Sequence, residues 1–395
     1  MNKRKHLIIH TQYYLPEIGA PQSRLSEIAQ NLNNFGYKVT ILTAMPSYPA
    51  GKIFPGYRGI FSKENIDGIP VYRSYIYPTQ STSFAKRLFN YFSFTFSSFI
   101  VGLFLPKADL IFTESPPLFL GISGYLLSRI KRAKWIFNVA DLWPASVAEL
   151  GLIDQNGFNF KISERMESFF YRNAALVTGQ SKTILDNIKM RFPEVNTYHL
   201  SNGVTPERYL SNTNYNDGAI KVMYAGLHGI AQGLDLLIES ATRLTNYPGI
   251  EFIFIGDGPE KQNLLKQASS LGLKNVTFLD PIPKAQIPET LCTADILVVP
   301  LKIQLTGAVP SKLYEGMAAG KPIILIAETE AAEIVREADS GIVIKPGDIE
   351  SLTSAVSYLA SEPDERIRLG NNGRRIVKEK FDQGKIGRAS CRERV

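Results

Sequence analysis

The sequence predicts an α/β protein built as two doubly wound, Rossmann-like domains that face a cleft. Three observations carry this. Apolar strand-like runs alternate with amphipathic helical stretches along most of the chain. The rhythm breaks once, in the turn cluster Asn202-Gly203-Val204-Thr205-Pro206, and then restarts. The length of 395 residues exceeds what one compact core usually serves. The expected division is 1–205 for an N-terminal domain and 206–384 for a C-terminal one, with the polar stretch 211–218 opening the second. Residues 385–395 (KIGRASCRERV) offer no apolar face and read as a non-native or disordered tail.

In the first half, residues 5–11 form a strand, and a loop follows to Pro21. A helix then carries Leu25, Ile28, Ala29, Leu32 and Phe35 at helical spacing, and Gly36 ends it. Further strands are expected at 38–43, 71–77, 109–113, 135–139, 176–178 and 197–200. In the second half they fall at 221–225, 252–255, 276–279, 295–301, 322–327 and 341–344, with helices between. Parallel strands need crossover helices, and residues 88–105 (LFNYFSFTFSSFIVGLFL) stand where one is required. This stretch is uncharged and flanked by Lys86, Arg87 and Lys107. Three readings stay open for it: a buried or groove-lining helix, an interfacial helix on an acidic membrane, or a marginal membrane span.

The formal charge is +7, and the tail from Lys385 onward contributes +3 of it. The modest remainder suits an anionic small ligand or an acidic membrane surface, and no concentrated basic face points to nucleic acid. Two cysteines cannot build a disulfide framework, so a reducing cytoplasm is expected. His6, His10, His199 and His228 lack ligand spacing and no Asp-x-Asp pair occurs, so no metal site is expected.

The most informative motif is 307–322, GAVPSKLYEGMAAGKP, between two apolar strands. Pro310 suits a first helical turn and Gly320 a helix end. A helix N-terminus at Ser311 offers free amides to an anion, Lys312 adds a charge, and Glu315 lies one turn on. That arrangement could hold a diphosphate and a ribose; equally it could be a solvated Lys–Glu pair. Glycine-bearing loops follow strands at Gly19-Ala20, at Gly226 to Gln232 and at Gly256-Asp257-Gly258. Arg24 could help neutralise a phosphate, and His228 could add a donor. In the first half, Asp141, just past a strand end and before Trp143-Pro144, could bind or deprotonate an acceptor hydroxyl, or simply cap a helix. Glu114 is a weaker case of the same kind.

Taken in order, these residues resemble the retaining glycosyltransferases of the GT-B fold, family 4. The likeness rests on Pro16-Glu17-Ile18-Gly19-Ala20, Leu200-Ser201-Asn202-Gly203-Val204, Tyr224-Ala225-Gly226 with Gln232-Gly233-Leu234, and Ile255-Gly256-Asp257-Gly258. Ala294-Asp295-Ile296 followed by Glu315-Gly316-Met317 and Gly320-Lys321-Pro322 completes it. The chain departs from the family pattern at Gly307, where the family usually carries Glu, and at Leu227 and Gln232, where it carries Arg and Lys. The variant is similar to fucosaminyltransferases of bacterial O-antigen, lipopolysaccharide and capsule synthesis.

The resemblance implies a metal-independent, cytoplasmic enzyme, peripheral on the inner face of the cytoplasmic membrane. It would move an N-acetylated (deoxy)hexosamine such as L-FucNAc from a UDP-sugar to a polyprenyl-diphosphate-linked saccharide. Donor contacts would come from Gly19, Ala20, Gly226, Gln232, Gly256, Gly258, Ser311, Lys312 and Glu315. Acceptor contacts would come from Asp141 and Glu114, with Lys312 and Asp141 catalytic. A UDP-sugar epimerase or hydrolase of the same fold and a non-catalytic nucleotide-sugar-binding subunit remain open. A dehydrogenase is disfavoured, because no loop carries the dinucleotide fingerprint.

Overall fold

A computed structural model describes residues 4–81, 83–209, 218–247 and 249–385. Residues 386–395 of the expected tail, and nearly all of the expected polar linker 211–218, lie outside the described residues. The chain divides into two compact units, with the boundary between Ser201 and Asn202.

Unit 1 contains strands β1 (His6–His10), β2 (Lys38–Ala44), β3 (Phe61–Ile66), β4 (Ile69–Ser74), β5 (Leu110–Ser115), β6 (Lys134–Val139), β7 (Leu176–Gly179) and β8 (Thr197–His199). They form one sheet in the order β3-β4-β2-β1-β5-β6-β7-β8. Every pairing is parallel except β3 with β4. The helices are α1 (Ala20–Asn34), α2 (Phe84–Phe104), α3 (Leu120–Lys131), α4 (Ala145–Glu149), α5 (Phe158–Asn173) and α6 (Lys182–Arg191). Leu25 and Ala29 of α1 fill one face of the sheet with Leu7, Ile9 and Ile41. Residues of α2, α3, α5 and α6 fill the other with Ile8, Ile111 and Phe137. Strands with both faces covered are rich in apolar residues. Accordingly β1, β2, β5 and β6 each carry consecutive hydrophobic residues (Leu7-Ile8-Ile9, Ile41-Leu42, Leu110-Ile111-Phe112 and Trp135-Ile136-Phe137), with the polar residues of β1 and β5 at their ends.

Unit 2 contains strands β9 (Ile220–Ala225), β10 (Ile250–Ile255), β11 (Val276–Leu279), β12 (Ile296–Pro300), β13 (Ile323–Ile326) and β14 (Gly341–Ile344). They form an all-parallel sheet in the order β11-β10-β9-β12-β13-β14. Its helices are α7 (Asp235–Arg243), α8 (Lys261–Ser270), α9 (Ile287–Cys292), α10 (Ser311–Ala318), α11 (Glu330–Ala338), α12 (Ile349–Ser361) and α13 (Pro363–Lys380). α7 and α12 pack on one face, α10 and α11 on the other. The Asn202-Gly203-Val204 segment belongs to this unit: Val204 bridges Asp382, and Gln383 donates its backbone N–H to Val204.

Three local expectations are corrected. The antiparallel β3–β4 hairpin was missed; its turn is Asp67-Gly68, both with positive φ, the dipeptide that a tight primed turn requires. Pro310 lies just before α10 in extended conformation, not in the first turn. The 88–105 helix starts earlier, and among the described residues no helix is long and apolar enough to cross a membrane, which removes the spanning reading.

His10 on β1 is fully buried, its Nε2 3.0 Å from Ser98 Oγ and its Nδ1 without a partner. Burial pushes its pKa down to about 3. A histidine with a depressed folded pKa binds its proton more readily when unfolded, so stability falls as pH drops below its ordinary value of 6.5. The slope is about 1.4 kcal/mol per pH unit for this one group. His10→Gln is expected to flatten the acid limb of a denaturation series between pH 6.5 and 4; an unchanged limb would count against the burial argument.

Candidate active site

Strands β9 and β12 are neighbours at the centre of the unit 2 sheet, and the chain leaves them toward opposite faces. This is the topological switch point at which doubly wound sheets place ligands. β9 ends at Ala225, and Gly226 follows with φ +152°. A Cβ there would collide with Lys312 Cε and stand 2.5 Å from Nζ. The Lys312 ammonium therefore packs directly beneath the Gly226 backbone, 5.9 Å from the centre of the Tyr224 ring. Gly256, after β10, abuts the Gly226 carbonyl, and Gly258 abuts the His228 backbone; neither has room for a Cβ. His228 locks the two loops, donating its N–H to Asp257 O and accepting from Glu260 N–H at 2.8 and 2.9 Å. Gly226 thus meets both Lys312 and Gly256, while Gly258 packs on the His228 backbone of the same loop, although the sequence spreads these residues over three loops.

Ser311 opens α10, whose first amides have no preceding helical carbonyl to bond. Burial pushes the Lys312 pKa down, and Glu315, one turn on, pulls it back. A partly desolvated ammonium carried on the first turn of a helix suits a polyanion: the arriving charge restores what burial removed. Two expected donors are placed differently. Gln232 turns onto Gly229 within its own loop, its carboxamide oxygen enclosed without a partner. His228 is a buried, neutral plug against Tyr224, Phe254 and Phe278, its pKa lowered by burial and then by Lys261. A crevice of about 180 Å³ lined by Gly229, Gly233, Glu260, Asn263 and Lys302 lies beside this loop, and no sequence signal marked it.

In unit 1, Gly19 precedes α1 and Ala20 opens it; a Cβ on Gly19 would press on the Gln22 carboxamide. Arg24, four residues on, is 6% exposed and ion-paired with Glu114, itself buried on β5. The other Glu114 oxygen accepts from Asn138 Nδ2 at 2.7 Å, and Asn138 Oδ1 accepts from Thr178 Oγ1 at 2.6 Å. Expected to meet an acceptor, Glu114 instead has both oxygens engaged inside unit 1, where it holds Arg24. Asp141, just beyond β6, is half-buried, and desolvation raises its pKa while Arg24 lowers it. Arg24 Nη1 and Trp143 Nε1 are enclosed with no partner in the structure. Arg24 was legible only as a spare cation; the stronger signal was a charged residue on the buried side of α1.

Gly226→Ala follows directly from this packing. It is expected to cost about 1–3 kcal/mol of strain and to abolish stabilisation by the donor nucleotide, read as melting temperature with and without it.

Residues 19–203 match the family described as "Glycosyl transferase 4-like domain", and residues 207–376 the one described as "Glycosyl transferases group 1". The chain is a family 4 glycosyltransferase. A relative in Escherichia coli (strain K12), provisionally named as the colanic acid biosynthesis glycosyl transferase WcaI, is 26% identical over 89% of this chain and 91% of its own length. Among solved structures, WaaG, a glycosyltransferase involved in lipopolysaccharide biosynthesis, superposes with a TM-score of 0.69 at 15% identity. The match spans 97% of this chain and 98% of WaaG. Anabaena HepE in complex with UDP and glucose gives 0.72 at 17% identity over 98% of each chain. These likenesses show the GT-B fold. The family describes glycosyl transfer, which favours neither the epimerase nor the non-catalytic subunit.

Proposed function

We propose that this glycosyltransferase moves an N-acetylated (deoxy)hexosamine from a UDP-sugar to a polyprenyl-diphosphate-linked saccharide in O-antigen or capsule synthesis, working at the inner face of the cytoplasmic membrane. The observation that carries the donor half is Lys312 seated under Gly226 at the switch point of unit 2. Unit 2 holds the nucleotide diphosphate with the Lys312 ammonium and the first amides of α10, Glu315 takes the ribose, and Gly226, Gly256 and Gly258 let the ligand approach the backbone. Gly19 and Ala20 complete the donor set, and Gln232 contributes through its loop. The HepE complex with UDP and the names of WcaI and WaaG support the nucleotide and the class of product.

In this reading the bond from the anomeric carbon to the β-phosphate oxygen breaks. A bond to the acceptor hydroxyl forms on the same face, and the hydroxyl proton passes to the leaving diphosphate. Charge grows on that diphosphate in the transition state, so Lys312 and the α10 amides act where stabilisation accelerates the step. Asp141 in unit 1 receives the acceptor hydroxyl.

The test is thermal stabilisation by UDP, GDP, ADP, CMP and NAD without added metal. UDP alone is expected to stabilise, by about 2.7 kcal/mol at a hundred times its Kd. Stabilisation by NAD, or by none of the five, would overturn the donor assignment. Sugar transfer that stops when membrane lipid extract is withheld then checks the acceptor.

A further inference from the structure

α2 has two unlike faces. Its inner face is held by specific contacts: Asn90 accepts from Gln12 Nε2 at 3.1 Å and donates to Tyr77 O at 2.6 Å, Ser98 meets His10, and Phe94 is fully buried. Its outer face exposes Phe89, Phe92, Phe96, Ile100 and Leu103, which recur every three or four residues and so lie in one stripe, with Phe104 beside them. Phe96 and Phe104 are 71% and 85% exposed. An aqueous surface has no use for a continuous stripe of phenylalanines.

α3 extends the surface. Gly102 packs on Leu127, and Lys131 donates to the carbonyls of Leu103 and Leu105, pinning α3 beside the end of α2. From α3, Leu126, Arg129 and Ile130 also face outward. The charge pattern identifies the occupant. No Asp or Glu occurs from Ile69 to Ala108, whereas Lys86, Arg87, Lys107, Arg129, Arg132 and Lys134 are all exposed. Aromatic and aliphatic side chains along a helix, bordered by cations and free of anions over α2, fit an acidic lipid bilayer.

We infer that the outer faces of α2 and α3 form a docking plate for an anionic phospholipid surface. α2 lies in the interface with Phe89, Phe92, Phe96, Ile100 and Phe104 among the acyl chains and Lys86, Lys107 and Arg129 at the headgroups. The inference deepens the membrane part of the function proposed above and does not depend on the donor or the reaction.

The test is co-flotation of the full chain with vesicles of phosphatidylcholine alone and of phosphatidylcholine with phosphatidylglycerol, at low and high salt, without nucleotide or acceptor. Binding to the anionic vesicles, weakened by salt, is expected. Lys86→Ala/Lys107→Ala should lower the partition coefficient roughly fivefold per charge removed. Phe96→Ser/Phe104→Ser, at positions exposed enough to leave folding intact, should abolish flotation with an unchanged melt. Flotation that survives the phenylalanine changes, equal binding to both vesicle types, or no binding would overturn the inference. So would a dimer in solution that Phe96→Ser/Phe104→Ser dissociates, because the stripe would then belong to a second copy. None of these outcomes touches stabilisation by UDP, so failure here and failure of the donor reading are distinguishable.

Discussion

Replacing Lys312 with alanine is expected to lower kcat/KM for the sugar nucleotide about a hundred- to a thousandfold, the size seen when one preorganised donor to a developing anion is removed. The ammonium, carried on the first turn of α10, sits under Gly226 at the end of β9, where the leaving diphosphate would lie. Because charge grows on that group as the glycosidic bond breaks, the loss should fall on kcat more than on KM. A change in KM alone would mean that Lys312 only tethers the ground state. Stability should change little, since the variant leaves no buried charge behind.

The same lysine sets an alkaline limit. Burial lowers its pKa below the ordinary 10.5, with Glu315 opposing, so in the free enzyme it loses its charge at lower pH than a solvated lysine does. The alkaline limb of kcat/KM should accordingly begin below that value. Lys312→Arg keeps a charge but must fit a larger head under a backbone that already excludes a Cβ, so partial activity at most is expected. Wild-type kcat/KM in Lys312→Ala would remove the residue from the mechanism.

Most of the strand pattern was legible because doubly covered parallel strands carry runs of consecutive apolar residues. β1, β5, β10, β12 and β13 announce themselves in this way. β3 did not, because it is an edge strand whose residues are nowhere fully buried, and Asp67-Gly68 was its one readable signal. In unit 2, the meeting of Gly226 with Gly256 and Lys312 could be inferred only from each loop following a strand; that the lysine lies under Gly226 is a tertiary fact. Gln232 and His228 show the converse. Both stand on a loop whose type suggested donors, yet one folds back on Gly229 and the other is walled in by aromatic rings. Position after a strand says which loops reach the site, whereas packing decides which side chains do. In unit 1 Glu114 was expected just past the end of a strand, whereas β5 runs on to Ser115 and carries it into the interior; its pairing with Arg24, 90 residues away, was not legible either.

That pairing carries the largest expected effect on stability. Arg24→Met should destabilise unit 1 by about 3–5 kcal/mol at neutral pH, as measured by chemical denaturation, because it leaves a buried carboxylate without its counter-ion. Both partners lie almost entirely out of water, and the second Glu114 oxygen is already taken by Asn138, so no solvent can replace the guanidinium. Burial raises the Glu114 pKa, and Arg24 is the largest influence holding it down. Without Arg24 the folded pKa rises further above the unfolded value. The variant then regains stability as pH falls through that raised pKa, since the folded form takes up the proton first. The deficit against wild type should therefore shrink on acidification. Arg24→Met/Glu114→Gln should recover much of the loss, because a neutral side chain with its Asn138 contact costs far less to bury than an unpaired charge. Asp141 provides a second reading of the same cation: losing Arg24 raises its pKa too, so the acid limb of turnover should move to higher pH in the single variant. A single variant as stable as wild type at pH 7, or a double variant no better than the single, would show that the ion pair is not what holds α1 to β5.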